Sequence, residues 1–160
     1  MKKLFVTSCI WLLGTSFSIM AEVKDLNFTK KEYKKFEKAE ATFKLSEKYQ
    51  NPYDPEVIKV DAKITEPDGN TYLMPCFYYI PSTFTKGTGT EEKDKATWML
   101  RFTPQKSGEY KVVILTKDNA KEEISKEVNL NVKERDKNGF IRVNKDNKYT
   151  LNFDNGAQYY

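Results

Sequence analysis

The sequence of 160 residues contains no histidine. Histidine is the general base of Ser-His-Asp and Cys-His nucleophilic systems and a common ligand of zinc, so its absence excludes these arrangements together. The chain has 23 acidic residues, and this abundance by itself selects no carboxylate pair for acid–base catalysis. We therefore predict no catalytic residue and no enzyme activity for this chain by itself.

Cysteine and glycine are also scarce. The two cysteines are Cys9, within the apolar N-terminal segment, and Cys76, within an apolar stretch of the later chain. Cys76 has no histidine to activate it, so we interpret it as a small buried apolar residue. The seven glycines form no phosphate-binding loop, and the Asp- and Asn-containing turns lack the spacing of a calcium loop. We predict no metal site and no cofactor.

No long run of one charge sign is present. Lysine and arginine number 27 and the formal net charge is +4, but positive and negative side chains alternate, as in residues 30–40. Nucleic-acid binding requires a net basic stripe and a recognisable fold motif, and the sequence has neither. The charges are typical of solvated faces, and we predict no nucleic-acid partner.

Residues 1–21 have the features of a signal peptide. Lys2 and Lys3 precede a mostly apolar run that ends at Ala21, and the first acidic residue, Glu22, follows. The run falls short of the roughly 20 clean apolar residues that a spanning helix needs, so we favour a cleaved signal over a transmembrane anchor. We predict cleavage after Ala21, a secreted or periplasmic protein, and no membrane contact after cleavage.

Short runs of alternating apolar and polar residues, separated by turn residues, continue from about residue 36 to the C-terminus. Residues 57–80 predict a hairpin with its turn at residues 66–70. Residues 81–95 have no periodicity and predict a long exposed loop. Residues 109–116 predict a further strand, and its residues Val112-Val113-Ile114-Leu115 are apolar on both parities, which is typical of a strand in the middle of a packed structure. The pattern predicts an all-β fold, an immunoglobulin/fibronectin-III-like antiparallel β-sandwich.

The tetrapeptide Ser107-Gly108-Glu109-Tyr110 stands at the entry to the most apolar strand. Its spacing matches a tyrosine corner, in which a buried phenol hydrogen-bonds back to the upstream backbone. An ordinary strand tyrosine fits the same spacing, so both interpretations stay open. We assign the β-sandwich to residues 36–135 and treat residues 22–35 as an N-terminal lead-in.

Aromatic side chains are the remaining candidates for a binding function, because the C–H surfaces of sugar rings stack on aromatic faces. Tyr78 and Tyr79 are neighbours in a predicted strand, so they point to opposite faces and one of them should look outward. Trp98 shares its parity with Leu100 and Phe102, which favours core packing over ligand contact. The candidate carbohydrate-binding residues are Tyr78, Tyr79 and Trp98.

Five short segments occur in a fixed order between residues 36 and 135. In chain order they are Tyr49-Gln50-Asn51-Pro52-Tyr53-Asp54-Pro55, Val60-Asp61-Ala62-Lys63-Ile64-Thr65-Glu66-Pro67-Asp68-Gly69, Pro75-Cys76-Phe77-Tyr78-Tyr79, Leu100-Arg101-Phe102-Thr103-Pro104 and Gly108-Glu109-Tyr110. Together they resemble a β-sandwich family of unknown function that stands at the N-terminus of bacterial secreted glycoside hydrolases. Cys76 replaces a usual glycine of that family, and Tyr110 replaces a usual tryptophan.

The resemblance implies a non-catalytic accessory domain. In the family the sandwich precedes an apiosidase-like or cellulase-like TIM-barrel domain, and residues 136–160 are similar to the linker hairpin that opens that catalytic domain. The implied partner is thus a glycoside hydrolase barrel, in cis in the relatives, which this chain lacks. We expect the module to pack on that barrel or to extend its substrate groove.

Two alternatives stay open. A free-standing carbohydrate-binding module would use outward-facing aromatic residues such as Tyr78 or Tyr79 to bind a polysaccharide. An immunoglobulin-like interaction protein of the cell envelope would need no sugar site. The sequence names no particular glycan for either hypothesis.

Overall fold

The computed structural model of the chain describes residues 21–92, 96–118, 121–135 and 138–160. The predicted signal peptide therefore lies outside the described residues, except for Ala21. Fifteen strands and no helix occur in the described ranges. They are β1 (Val23–Phe28), β2 (Glu32–Lys34), β3 (Ala39–Leu45), β4 (Ile58–Thr65), β5 (Thr71–Pro75), β6 (Phe77–Tyr79), β7 (Ser82–Thr85), β8 (Gly89–Glu92), β9 (Thr97–Phe102), β10 (Gly108–Asp118), β11 (Lys121–Ile124), β12 (Val128–Lys133), β13 (Ile141–Val143), β14 (Leu151–Phe153) and β15 (Gln158–Tyr159).

Two sheets form the body of the fold. One has the strand order β1-β3-β9-β6, and the other has the order β2-β12-β10-β4-β5 with β11 beside β10. Strands β2 and β12 run parallel, and the other described pairs are antiparallel. Phe43 and Leu100 of the first sheet and Ile64 and Ile114 of the second are fully buried in one core. The predicted all-β antiparallel sandwich is confirmed. No helix of the described ranges is long and apolar enough to cross a membrane.

Strand β10 lies in the middle of the six-stranded sheet, as its apolar character predicts. It pairs with β4 on one side and with β12 and β11 on the other. Val112 and Ile114 face the core, while Val113 and Leu115 are half-buried on the outer face. The apolar outer residues reflect this central position, since neighbouring strands shield both edges.

The segment assigned as a lead-in, residues 22–35, contributes two strands to the sandwich. Strand β1 pairs with β3, and β2 pairs with β12. The β1–β3 register shifts between Lys24 and Asn27, and Asp25 adopts a positive φ of 56°. This irregularity breaks the period of two on which strand recognition depends, because residues after a bulge change face. The sandwich consequently begins before residue 36.

The predicted strand at residues 71–80 is wrong in one respect, because it divides between the two sheets. Strand β5 ends at Pro75 and pairs with β4, which confirms the first part of the hairpin. Strand β6 then pairs with β9 in the opposite sheet. Pro75 has no N–H with which to continue the hydrogen bonding of the sheet. The Cys76 N–H donates to the Val60 carbonyl at 2.9 Å at the point where the chain crosses to the other sheet. The crossover brings the aromatic residues of β6 to the sheet edge.

The predicted long loop at residues 81–95 is also corrected. Strands β7 and β8 pair antiparallel there as a two-stranded hairpin, and residues 93–95 lie outside the described part. Gly87 and Gly89 take positive φ angles of 99° and 85° at its turn. The two strands are rich in threonine and have no apolar face, so the sequence shows no hydrophobic periodicity that would predict them.

Tyr110 forms a tyrosine corner, one of the two interpretations that its sequence spacing left open. Its ring is fully buried, and its hydroxyl donates to the Lys106 carbonyl at 3.1 Å and accepts from the Lys106 N–H at 3.0 Å. Burial raises the pKa of Tyr110, so the hydroxyl remains a donor throughout the neutral range. These contacts hold the turn at residues 104–108 against the start of β10.

We expect Tyr110→Phe to lower the free energy of unfolding by about 1–2 kcal/mol, because both Lys106 backbone groups lose their partner while the ring packing is kept. Urea unfolding followed by fluorescence measures this. The exposed Tyr53→Phe is the control and should change stability by less than about 0.5 kcal/mol. Equal stability of Tyr110→Phe and the unsubstituted protein would show that the corner contributes nothing.

Strands β13, β14 and β15 form a third, three-stranded antiparallel sheet, which we call the meander. It occupies most of the segment predicted as a linker hairpin. Phe140, just before β13, packs edge-to-face on Phe36 of the sandwich with ring centroids 5.5 Å apart. The Asp154 carboxylate accepts from the Phe140 N–H at 2.7 Å and from the Arg142 side chain at 2.9 Å. These bonds tie the turn after β14 to the start of the meander.

Candidate functional site

Three aromatic rings form a ladder from the core to the surface at one end of the sandwich. Trp98 of β9 is buried, and its ring centroid lies 5.5 Å from that of Tyr78 on β6. Tyr78 is half-buried and lies 5.5 Å from Tyr53, which is 64% exposed. Both contacts are edge-to-face, the preferred geometry of aromatic pairs. We call Tyr53, Tyr78 and Trp98 the aromatic ladder.

Two cavities flank the aromatic ladder, and both are bordered by Pro52, Tyr78 and Trp98. The first, of about 330 Å³, lies over the start of β4 and the crossover at Cys76. The second, of about 690 Å³, lies beside the end of β3 and the start of β9. Because the two cavities share these three lining residues, they adjoin each other, and we call them together the ladder cleft, with a first and a second half.

The loop that carries Tyr53 is held by its own hydrogen bonds. The Asn51 side chain accepts from the Tyr53 N–H at 3.2 Å, and the Asp54 side chain accepts from the Glu56 N–H at 3.0 Å. The Asp54 carbonyl accepts from the Ile58 N–H at 3.0 Å, which joins the loop to β4. Pro52 and Pro55 restrict φ on either side of Tyr53. The sequence thus presents Tyr53 in a preorganised position.

Polar groups border both halves of the cleft. In the first half, Lys59 and Asp61 form an ion pair at 3.1 Å. In the second, the Tyr49 hydroxyl donates to the Asp118 carboxylate at 3.3 Å. Burial, together with the nearby Asp118 charge, raises the pKa of Tyr49 to about 12, so this hydroxyl stays protonated at neutral pH.

Cys76 lines the first half of the cleft and is half-buried, not fully buried as expected. Burial, followed by the charge of Asp61, raises the pKa of its thiol to about 12. A thiol with such a pKa carries almost no thiolate at neutral pH, and the thiolate is the nucleophilic form. Cys76 therefore acts here as an apolar wall.

The three candidate residues from the sequence fall into two places. Tyr78 and Trp98 lie together in the aromatic ladder. Trp98 packs in the core and also lines the cleft. Tyr79 points to the opposite face of β6, where it is 37% exposed and contacts Phe77 with ring centroids 6.4 Å apart. The Arg101 guanidinium lies over the Phe77 ring at 5.4 Å. The predicted alternation of Tyr78 and Tyr79 is confirmed.

Sequence reasoning missed Tyr53, which the structure makes the outermost ring of the ladder. The local signal was an aromatic residue between two prolines in a turn, which holds a side chain in a defined position at the surface. Within the described ranges, no group of three or more Cys, Asp and Glu residues is arranged to hold a metal ion. The ladder cleft has apolar walls and a few polar groups, a composition that ligand pockets share.

A family model described as "Domain of unknown function (DUF5060)" matches residues 32–117, more than half of the chain. The chain belongs to the DUF5060 family. The matched segment of this DUF5060 domain begins at β2 and ends in β10, so it contains the whole aromatic ladder. Strands β1, β11 and β12 and the meander lie outside it.

A solved structure resembles this DUF5060 chain over most of its length. It is a crystal structure from Bacteroides vulgatus ATCC 8482 at 1.80 Å resolution, described as "a putative glycoside hydrolase", with a TM-score of 0.56 and 19% sequence identity. The likeness covers 82% of this chain and 22% of the other, so this chain spans about a fifth of its neighbour's length. At this identity the likeness supports the fold alone. No curated protein matches the chain.

Proposed function

We propose that this DUF5060 chain is a non-catalytic accessory module that docks on the catalytic barrel domain of a secreted glycoside hydrolase. The observation that carries the proposal is an exposed apolar face on the meander. Support also comes from the structural neighbour, which is several times longer than this chain and is described as a glycoside hydrolase. Export through residues 1–21 remains a prediction from the sequence and belongs to the same proposal.

One face of the meander is entirely apolar. Paired residues of an antiparallel sheet share a face, and the pairs Ile141 with Phe153, Val143 with Leu151, and Leu151 with Tyr159 place five residues together. We call Ile141, Val143, Leu151, Phe153 and Tyr159 the meander face. Four of them are exposed, with Val143 at 59%. Phe153 and Tyr159 pack edge-to-face with centroids 5.6 Å apart.

The opposite face of the meander is polar. It carries Arg142, Asn152 and Gln158, and Arg142 is bound to Asp154. Phe140 shares the parity of Arg142 and makes the contact with Phe36 of the sandwich. The side that carries this contact is thus opposite to the meander face, which leaves the apolar residues available to a partner.

A catalytic domain is the occupant that fits this surface. A small sheet gains stability by packing its apolar side on another element, and a contiguous exposed apolar patch marks an interaction site. Because Phe140 at the start of the meander packs on Phe36 of the sandwich, a domain packed on the meander face would stand beside the sandwich. We therefore assign the meander face to an apolar surface of the barrel.

The test begins with the gene that encodes this chain. We expect this gene, or the reading frame beside it, to encode a barrel domain after residue 160, and that barrel serves as the binding partner. Purified residues 22–160 should bind this barrel, and Val143→Asp should weaken binding by more than about tenfold, because the carboxylate would be buried in an apolar interface. Calorimetric titration measures both affinities.

The control is Tyr149→Asp, which introduces the same charge at a residue that is 100% exposed and lies between β13 and β14, outside the meander face. It should bind like the unsubstituted chain. Three results would contradict the proposal: unrelated sequence downstream, a barrel that does not bind, or a stable dimer in sedimentation that Val143→Asp dissociates. The dimer would assign the meander face to a second copy.

A further inference from the structure

The ladder cleft has the form of a ligand site that is separate from the meander face. Its two halves, of about 330 and 690 Å³, join at Tyr78. Ligand pockets commonly have volumes of roughly 300–1,000 Å³ and apolar walls with a few polar groups. The smaller half has room for one small ring and the larger half for more than one. An elongated ligand that passes across the ladder fits this shape.

The walls of the cleft combine aromatic surface with hydrogen-bonding groups. Tyr53 uses one edge-to-face contact with Tyr78 and otherwise faces solvent, so much of its ring surface is free. An aromatic face carries partial negative charge and attracts the C–H groups on the flat side of a sugar ring. Hydroxyl groups at the rim of such a ring require donors and acceptors, which Lys59, Asp61 and Tyr49 provide.

Charge pairing at the cleft favours an uncharged ligand. Lys59 and Asp61 neutralise each other at 3.1 Å, and Lys44 lies 3.6 Å from Asp25. Glu47 and Lys48, which also line the second half, carry opposite charges and add no net charge. Binding of an anionic or cationic ligand would break these pairs or compete with them. A neutral ligand hydrogen-bonds to paired groups without that cost.

The preorganised loop lowers the cost of binding. Two prolines and the hydrogen bonds of Asn51 and Asp54 hold Tyr53 before any ligand arrives. The buried Trp98 ring packs edge-to-face against the Tyr78 ring and so restricts its position. A side chain that is already ordered loses little conformational entropy on binding, so its contacts contribute more of their energy to affinity.

We propose that the ladder cleft binds a neutral polysaccharide, with sugar rings stacked on Tyr53 and Tyr78 in two adjoining subsites. The choice of a glycan over another elongated ligand rests on the proposed function, since a module of a glycoside hydrolase meets polysaccharide chains. A proline-rich peptide is the competing ligand, because aromatic grooves also bind polyproline II helices.

The test uses purified residues 22–160 and four neutral polysaccharides: xylan, glucomannan, arabinan and galactan. Affinity gel electrophoresis measures retention, and tryptophan emission gives a second signal, because Trp98 is the only tryptophan after residue 21. We expect at least one polysaccharide to retard the protein and to change the emission of Trp98. Tyr53→Ala should weaken binding at least tenfold, and its high exposure means that the fold tolerates the change.

Tyr149→Ala is the matched control, since it removes a fully exposed tyrosine that lines neither half of the cleft. It should leave retention unchanged, as should Val143→Asp on the meander face. The inference is overturned if none of the four polysaccharides binds, if Tyr53→Ala binds as well as the unsubstituted chain, or if decaproline binds and the polysaccharides do not. Barrel binding without polysaccharide binding would overturn this inference and leave the docking proposal intact.

Discussion

Ile114→Ala is expected to lower the free energy of unfolding by about 3–4 kcal/mol, because it leaves a cavity in the core. Ile114 is fully buried at the centre of β10, and it pairs with Ala62 of β4 in the middle of the six-stranded sheet. The side chain of Ala62 is a single methyl group, so it cannot reach into the space that the truncation leaves. The cavity would remain, and its lining would lose dispersion contacts.

Val113→Ala provides the matched control on the same strand. Val113 is adjacent in sequence, but it is half-buried on the outer face and pairs with Lys63. Its truncation should cost less than about 1 kcal/mol. Urea titration of both variants gives the two midpoints, and the slopes should agree with that of the unsubstituted protein. A similar loss for both variants would mean that β10 buries its two faces equally.

Gly108→Ala should destabilise the protein by about 3–5 kcal/mol, from backbone strain combined with overpacking. Gly108 has a φ of 126°, which side chains other than glycine rarely adopt. An added Cβ would lie 2.7 Å from the Pro67 Cβ and 2.9 Å from its Cγ. The Pro67 turn cannot easily move away, because Glu66 and Asp68 both bind the Lys106 ammonium at 2.6 Å.

The control for this change is Gly69→Ala in the same turn as Pro67. Gly69 also has a positive φ, of 86°, but an added Cβ meets no atom within 4 Å. Its cost should be that of the backbone alone, about 1 kcal/mol. Thermal or urea unfolding compares the two variants. If Gly108→Ala destabilises the protein no more than Gly69→Ala does, then the turns at residues 66–70 and 104–108 are not in the close contact that the structure shows.

Much of the fold could be predicted because burial on one face leaves a period of two in the sequence. Strand β4 alternates strictly and was found with its partner β5, and β10 was found as a central strand. Strand β1 was not predicted, because its register shift at Asp25 breaks that period. The crossover at Cys76 was also not predicted, because apolar residues continue through it. Only the paired strand changes there, from β4 before the crossover to β9 after it.

The candidate site was predictable only in part. Alternation along one strand is a local property, so the opposite orientations of Tyr78 and Tyr79 followed from their adjacency. The contact between Tyr53 and Tyr78 joins residues 25 positions apart, and no local pattern specifies it. It depends on how the loop before β4 folds over the crossover into β6.

The sequence by itself determined the all-β class, the main hairpin turn and the absence of histidine chemistry, and it offered the tyrosine corner at Tyr110 as one of two interpretations. These features depend on composition or on spacings of a few residues, where side-chain direction and turn chemistry are local. Only the tertiary structure decided which residues meet in the aromatic ladder and which side of the meander stays uncovered. Both depend on packing between segments distant in the chain, and a period of two specifies a face without specifying what that face contacts.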